Sequence, residues 1–174
     1  MEIVNSVFME YQKQKDGSFK KLPQQNVDHG SGVERLLAAV ENKQDIFQTS
    51  LFSPIIKMLE EITGKTYETN SRAMQIIADH LIASVFIAAN NIAPSNKEQG
   101  YVLRRILRRA IRYGKQLEID KTFTPIIASS IIKNYADSDP YLMEKEKLIK
   151  DIFNEEEGKF AQVIQEGLKR SEKI

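Results

Sequence analysis

Apolar and polar residues alternate in the first part of the chain, as they do in strands. The apolar side chains of residues 3–11 favour one parity, and β-branched and aromatic types are frequent, which predicts a strand. The Asp-Gly pair at 16–17 is a hairpin-turn signal. A short return strand is predicted over 19–22, ended by Pro23, and a further short strand over 26–28.

The spacing changes to that of a helix after a glycine-rich turn at 29–32. Residues 33–40 place their apolar side chains on one helical face, and no strand is predicted beyond them. The predicted helices cover about 48–62, 71–91, 99–116, 123–136 and 141–170, with ends placed to within about 2–4 residues. The predicted fold class is mostly α: a small antiparallel β part, then an all-helical part.

A polar loop at 63–70 separates these two parts, and Gly64 is well placed to end a helix there. The predicted domains are therefore 1–66 and 67–174. A second turn at 93–96 offers Ser95 or Asn96 as a helix N-cap.

Composition narrows the possible function classes. The chain has 174 residues, 41% of them hydrophobic, which is enough for a core. It has no cysteine, which excludes disulfides and thiolate metal sites and predicts a cytoplasmic location. No run approaches the roughly 18 apolar residues of a membrane span, so no membrane partner is predicted. The chain starts inside a strand-like pattern, as a segment of a longer protein would.

The glycine turn is the first candidate for chemistry. Gly30 and Gly32 precede a predicted helix, whose N-terminus can bind phosphate, and Arg35 lies in its first turn. The alternative from these residues alone is a surface turn with a solvated arginine.

A basic stretch is the second candidate. Residues 101–115 hold five arginines and one lysine without an acidic residue. On a helix the arginines form two neighbouring rows, Arg104, Arg108 and Arg112 in one, and Arg105 and Arg109 in the other. Like charges at this spacing destabilise a helix, so the pattern favours a polyanionic partner. The alternative is pairing with acidic residues elsewhere, such as 155–157, which otherwise look like solvated helix surface.

Several segments resemble one family. Gly-x-Gly-x-Glu-Arg-Leu at 30–36 resembles motif 3 of the class II aminoacyl-tRNA synthetases. The segments similar to alanyl-tRNA synthetases occur in the same order as in that family, at 2–9, 45–47, 51–56, 78–80, 94–96 and 100–110. The resemblance covers nearly the whole chain.

The resemblance implies an amino-acid and ATP site. Asp28 would hold the ammonium group of alanine, with Asn5 and Gly30 lining the same pocket. Gly32 and Arg35 would contact ATP, and Arg35 is the implied catalytic residue because it would neutralise triphosphate charge. The implied cofactor is ATP with Mg²⁺ in the full-length enzyme, with none bound tightly by this chain alone.

The resemblance also implies binding to the acceptor stem of tRNA(Ala). Asn96 would read a wobble base pair, and the five arginines of 101–115 would contact phosphates. The chain departs from the usual family residues at His29, Ser31, Lys97 and Gln99.

The implied function is that of a segment of alanine–tRNA ligase, spanning the end of the catalytic domain and the tRNA-recognition helices. Two further class II motifs are not found in the sequence, so the chain alone is expected to be inactive in alanine activation. One alternative is a non-catalytic helical RNA-binding module, and another is a structural segment without its own activity. No metal site is predicted, and the pair 79–80 (Asp-His) is interpreted as structural.

Overall fold

A two-stranded antiparallel ribbon forms most of the first of two units, Met1–Leu51 and Phe52–Ile174. A computed structural model describes residues 2–171, and their side chains through residue 167. Strand β1 (Val4–Lys13) pairs with β2 (Phe19–Ser31). The turn between them uses Gly17 at φ +87°, as the Asp-Gly signal predicts.

The predicted end of the return strand at Pro23 is wrong. β2 continues through Pro23, and the register shifts between Met9 and Tyr11 of the partner strand. Met9 pairs with Asn26 and Tyr11 with Lys21, so Pro23 lies in an irregular stretch of the ladder. Proline is tolerated there because no ladder hydrogen bond needs its missing N–H.

The apolar residues of the ribbon are not covered within the first unit. Every residue of β1 is exposed, and in β2 only Leu22 is half-buried. Helix α1 (Val33–Val40) follows the ribbon, and a single 3-10 turn follows it at Ile46–Gln48. The Asp45 side chain accepts a hydrogen bond from the Phe47 N–H and so caps this turn.

The described residues of the second unit form helices joined by loops, without a strand. Its helices are α2 (Ser53–Thr63), α3 (Tyr67–Ala89), α4 (Glu98–Gln116), α5 (Thr124–Asn134), α6 (Tyr141–Glu144) and α7 (Glu146–Ser171). α2 begins later than the predicted residue 48, because the 3-10 turn precedes it and Pro54 occupies its first turn. Gly64 ends α2 at φ +65°, as predicted. α3 has one non-helical residue, Asn70, beside its predicted start.

The core lies where α3 packs against α4, α5 and α7. Leu81, Leu107, Ile131 and Phe153, one from each of these helices, are fully buried. By length and composition α3 could cross a membrane, but half of its apolar window is buried inside the unit. Its apolar character is accounted for by its place in the core.

Helix α2 belongs with the helical unit, because it packs on α3 and α5. The division between the units therefore falls at residues 51 and 52, earlier than the predicted boundary at 66 and 67. The assignment of 1–66 to a catalytic domain and of 67–174 to a tRNA-recognition domain stays a prediction. The predicted fold class, mostly α with a small antiparallel β part, is confirmed.

Candidate substrate and nucleic-acid sites

The strand register places Asn5 and Asp28 on one face of the ribbon. Asn5 pairs with Gly30, and Val7 pairs with Asp28. Paired residues point to the same face, and so do residues two apart. Asn5, Asp28 and Gly30 therefore share a face, with Asn5 and Asp28 as diagonal neighbours. All three are exposed, so this face can receive a ligand.

His29 lies on the opposite face of the ribbon. It pairs with Ser6, and the Ser6 hydroxyl and His29 Nδ1 are 2.9 Å apart. The departure from the family pattern at His29 therefore does not add a side chain to the face of Asp28.

Arg35 lies in the first turn of α1, and its side chain extends toward the N-terminal residues. Its Nη1 donates a hydrogen bond of 2.9 Å to the Glu2 carbonyl oxygen. A groove of about 410 Å³ lies beside it, lined by Glu2, Arg35, Gln44, Asp45 and Ile46. Arg35 is exposed and is one of the residues that line this groove.

The two glycines of the turn differ in what surrounds them. A Cβ on Gly32 would lie 3.2 Å from the Arg35 side chain, which would have to shift. A Cβ on Gly30 would meet no atom within 4 Å. No protein contact in the first unit therefore requires glycine at position 30. A ligand bound on that face would require it, because a side chain there would occupy the ligand's space.

The described residues contain no group of three or more His, Cys, Asp and Glu side chains that could hold a metal ion. The pair Asp79 and His80 forms a 2.8 Å contact between Oδ2 and Nδ1. The His80 side chain is 13% exposed and lies on α3, which forms the centre of the core. The Asp79 side chain is 63% exposed, and the structural interpretation of this pair stays a prediction.

Helix α4 has one buried face and one arginine-rich face. Leu103, Leu107, Ala110 and Ile111 are at most 1% exposed. On the other face Arg105, Arg109 and Arg112 are exposed. Among the described side chains, none of these three arginines is paired with a carboxylate. The arginines border a groove of about 490 Å³ that also includes Tyr101 and Phe160.

Arg108 differs from its neighbours because it is paired inside the protein. Its Nε lies 2.5 Å from Glu156 Oε1, and its guanidinium carbon is 5.0 Å from the centre of the Phe160 ring. The Glu156 side chain is 6% exposed and that of Arg108 is 31% exposed. Pairing with acids at 155–157, the alternative drawn from the sequence, therefore holds for this one arginine.

Asn96 lies in the exposed loop before α4. Its Oδ1 accepts a hydrogen bond from Arg104 Nη1. The N-cap of α4 is Lys97, without a side-chain cap among the described residues, so neither Ser95 nor Asn96 has the expected cap role. The Asn96 amide therefore keeps its Nδ2 hydrogens as donors for a partner.

Gly100 fixes the shape of this loop. A Cβ at Gly100 would lie 2.3 Å from Ser95 Oγ and 2.5 Å from the Ala93 carbonyl oxygen. The Ser95 N–H donates to the Gly100 carbonyl oxygen at 3.0 Å. The loop that carries Asn96 is thus held against the first turn of α4 by contacts that only glycine permits.

Sequence reasoning missed the acidic side of this region. Glu156 and Glu157 are each 5% exposed, so the expectation of solvated surface is wrong for both. Glu157 accepts hydrogen bonds from the N–H groups of Phe123 and Thr124 at the start of α5. Glu156 and Glu157 follow the buried Phe153 by three and four residues, which places them on its face of α7. This spacing is the signal in the sequence, but it does not identify their partners.

Comparison with known proteins shows similarity to alanine–tRNA ligases. The chain is 40% identical to an alanine–tRNA ligase of Desulfosudis oleivorans over 97% of its own length and 20% of the relative's. It is 42% identical to one of Borrelia hermsii over 95% of its length and 29% of the relative's. It is 38% identical to an alanine–tRNA ligase of Bacillus subtilis, over 97% of its own length and 20% of the relative's.

The chain spans about a fifth of the length of the curated relatives that it matches first. The family model described as class II (A) tRNA synthetases matches residues 1–174. The chain therefore belongs to the family of class II (A) tRNA synthetases.

Proposed function

We propose that this chain is the segment of an alanine–tRNA ligase that carries part of the alanine and ATP site and binds the acceptor stem of tRNA(Ala). The observation that carries the RNA-binding part is the exposed face of α4. Arg105, Arg109 and Arg112 lie there without a carboxylate partner among the described side chains. The similarity to alanine–tRNA ligases over nearly the whole chain supports the choice of tRNA.

Phosphate is the ligand chemistry that suits this face. A guanidinium group presents a planar fork of N–H donors that matches two phosphate oxygens. Three like charges on adjacent turns repel one another, and a polyanion removes that cost. Each phosphate contact would release counterions, which makes binding salt-dependent. Removing one contact should therefore reduce the slope of log affinity against log salt by about one unit.

Asn96 is proposed to read a base edge. Its Oδ1 is already bonded to Arg104, which leaves the Nδ2 hydrogens to donate to a base acceptor. A-form RNA presents base edges in its shallow minor groove, which a loop residue can reach. Gly100 supports this role, because it keeps the loop close to α4.

The amino-acid part rests on the ribbon face. Asp28 would hold the alanine ammonium group through a charge-assisted contact, with Asn5 beside it and Gly30 leaving room. Arg35 would bind a phosphate oxygen of ATP near the N-terminus of α1. When bound, ATP would supply the α-phosphorus that the alanine carboxylate attacks, with pyrophosphate as the leaving group, and no Mg²⁺ ligand is assigned within this segment.

Activity on alanine is proposed for the full-length enzyme and not for these 174 residues. The two other class II motifs, of which one supplies a strand and the other an arginine for the α-phosphate, are not found among these residues. ATP–pyrophosphate exchange with this polypeptide is expected to stay at background, and turnover would overturn this part. The absence of cysteine supports a cytoplasmic location.

The RNA-binding part is tested by equilibrium binding of tRNA(Ala) to the wild type, Arg105→Ala and Arg109→Ala over a range of salt concentrations. Each variant is expected to weaken binding and reduce the salt slope by about one unit. Arg72→Ala is the matched control, because Arg72 is an exposed arginine on α3. Equal losses in all three variants would contradict the assignment to α4.

The second candidate is a non-catalytic helical RNA-binding module. It is favoured by the same arginine face, and it gives no role to Asp28 or Arg35. Placing Asp28→Asn in the full-length enzyme separates the two candidates. A rise in the KM for alanine supports the synthetase, and unchanged alanine activation supports the module.

A further inference from the structure

Glu156 is a buried carboxylate inside the most basic region of the molecule. It lies on α7, is 5% exposed, and faces Arg108 of α4 at 2.5 Å. Burying a carboxylate is costly unless a cation and hydrogen bonds compensate it. Arg108 supplies that compensation from a second helix, so this ion pair connects α7 to the arginine face.

The position of Glu156 is fixed by its neighbour in the chain. Glu157 Oε2 accepts hydrogen bonds from the Thr124 N–H at 3.0 Å and the Thr124 hydroxyl at 2.6 Å. These bonds hold α7 against the start of α5. The Glu156 carboxylate is therefore held beside Arg108 and away from solvent. Glu155 differs, because its side chain is 66% exposed.

The Arg108 side chain is held on two sides. Its Nε donates to Glu156, and its guanidinium lies over the Phe160 ring at 5.0 Å. Cation–π contact with a partly buried ring adds to the ion pair. Donating its Nε–H to an RNA phosphate would require Arg108 to leave a buried carboxylate without a partner, which is strongly unfavourable. A phosphate contact through its Nη groups would gain little, because the Glu156 charge offsets the charge of Arg108.

We propose that Glu156 is a specificity-determining residue for RNA binding: it withdraws Arg108 from phosphate contact and limits the cations that face RNA to the exposed arginines of α4. This inference rests on the proposed function. Arg108 lines the same groove as Arg105, Arg109 and Arg112, and we call these last three, which are exposed, the rim. A smaller number of phosphate contacts leaves a larger share of the affinity to base reading.

Removing the charge of Glu156 has an unusual expected effect. Glu156→Gln frees Arg108 to join the rim, so binding to any RNA becomes tighter and more salt-dependent. One added phosphate contact raises the slope of log affinity against log salt by about one unit. Between 50 and 200 mM salt the variant should lose about fourfold more affinity than the wild type. Its preference for tRNA(Ala) over another tRNA should fall.

The experiment compares salt slopes for the wild type, Arg109→Gln, Arg108→Gln, Glu156→Gln and the double variant Arg108→Gln with Glu156→Gln. Arg109→Gln should lower the slope. Arg108→Gln is judged through the double variant, because alone it leaves the Glu156 carboxylate without its cation. Glu156→Gln should raise the slope, and the double variant should return to the wild-type value. Glu155→Gln is the matched control, since it makes the same charge change on an exposed neighbour and should leave the slope unchanged.

Two outcomes overturn the inference while leaving the proposed function in place. One is that the double variant lowers the slope as much as Arg109→Gln. The other is that Glu156→Gln gives the wild-type slope. Failure of the proposed function would look different, because the wild type would then not bind tRNA or Arg109→Gln would have no effect.

A measurement on the wild type removes any dependence on how the variants fold. The arginine Nε–H resonances are followed by NMR as tRNA is added. The Arg108 signal should stay in place because its Nε remains bonded to Glu156, and the Arg109 signal should move. Movement of the Arg108 signal as large as that of Arg109 would contradict the inference.

Discussion

Replacing Glu157 by alanine tests whether a buried carboxylate on α7 holds the start of α5. The carboxylate is 5% exposed and accepts three hydrogen bonds. They come from the Phe123 N–H at 3.2 Å, the Thr124 N–H at 3.0 Å and the Thr124 hydroxyl at 2.6 Å. Two of these donors are first-turn N–H groups of a helix, which need an acceptor from outside it.

The expected loss follows from those three bonds. A hydrogen bond to a charged acceptor contributes about 1.5–3 kcal/mol, and leaving a buried donor unpaired costs about 1–3 kcal/mol. The terms overlap because the three bonds share one carboxylate. We expect Glu157→Ala to lower the free energy of unfolding by about 3–4 kcal/mol. With an m-value of about 2 kcal/mol/M the urea midpoint should fall by about 1.5–2 M.

The assay is urea unfolding followed by circular dichroism, with two comparison variants. Glu155→Ala removes an exposed glutamate paired with Lys159 and should change stability by less than about 0.5 kcal/mol. Glu157→Gln should lie between the two, since its amide oxygen can serve Thr124 while its NH₂ group faces the Phe123 N–H. A Glu157→Ala stability within about 1 kcal/mol of Glu155→Ala would refute the capping role.

Two further predictions concern a glycine and a carboxylate outside that cluster. Gly114→Ala places a Cβ at 2.5 Å from the buried Phe123 ring, so thermal unfolding should show a net loss of about 1–2 kcal/mol despite the better helix propensity of alanine. The control Gly158→Ala meets no atom within 4 Å and should gain about 0.5–1 kcal/mol; equal effects would contradict the packing argument. Hydrogen bonds from the Ser50 hydroxyl and then its N–H hold the pKa of Glu41 below its ordinary value, so NMR titration of Ser50→Ala should show a raised Glu41 pKa. Because the folded pKa is depressed, this stabilisation is present above the unfolded pKa and is lost as pH falls through the folded value; an unchanged Glu41 pKa would refute it.

The helices and the faces of α4 could be predicted because their signals are local. The leucines at 103 and 107 and the arginines at 105 and 109 repeat with helical spacing, and the structure buries the first pair and exposes the second. Gly64 ends a helix through its own backbone conformation. Such features depend on the residues within one or two turns of the chain.

The three consecutive glutamates 155–157 show what the sequence could not reveal. One is exposed and paired along its own helix, one is buried against Arg108, and one caps α5. Their chemistry is identical, so only the packing of α7 against α4 and α5 distinguishes them. Proline 23 shows the same limit: its effect depends on the partner strand, which accommodates it with a register shift.

Site residues fall between these two cases. The alternation of a strand predicts that positions 28 and 30 share a face, but the partner of each position depends on the register. The observed register brings Asn5 to the face of Asp28 and sends His29 to the other. The roles of these residues in binding stay predictions until they are measured.

The most direct test of the account is the preference of the wild type for tRNA(Ala) over tRNA(Ala) with its wobble pair replaced by a Watson–Crick pair. We expect tighter binding of the natural tRNA by the contribution of about one hydrogen bond, roughly fivefold in affinity. Asn96→Ala should abolish this preference, and Arg105→Ala should weaken both complexes equally. Equal binding of the two tRNAs by the wild type, or an unchanged preference in Asn96→Ala, would contradict the account.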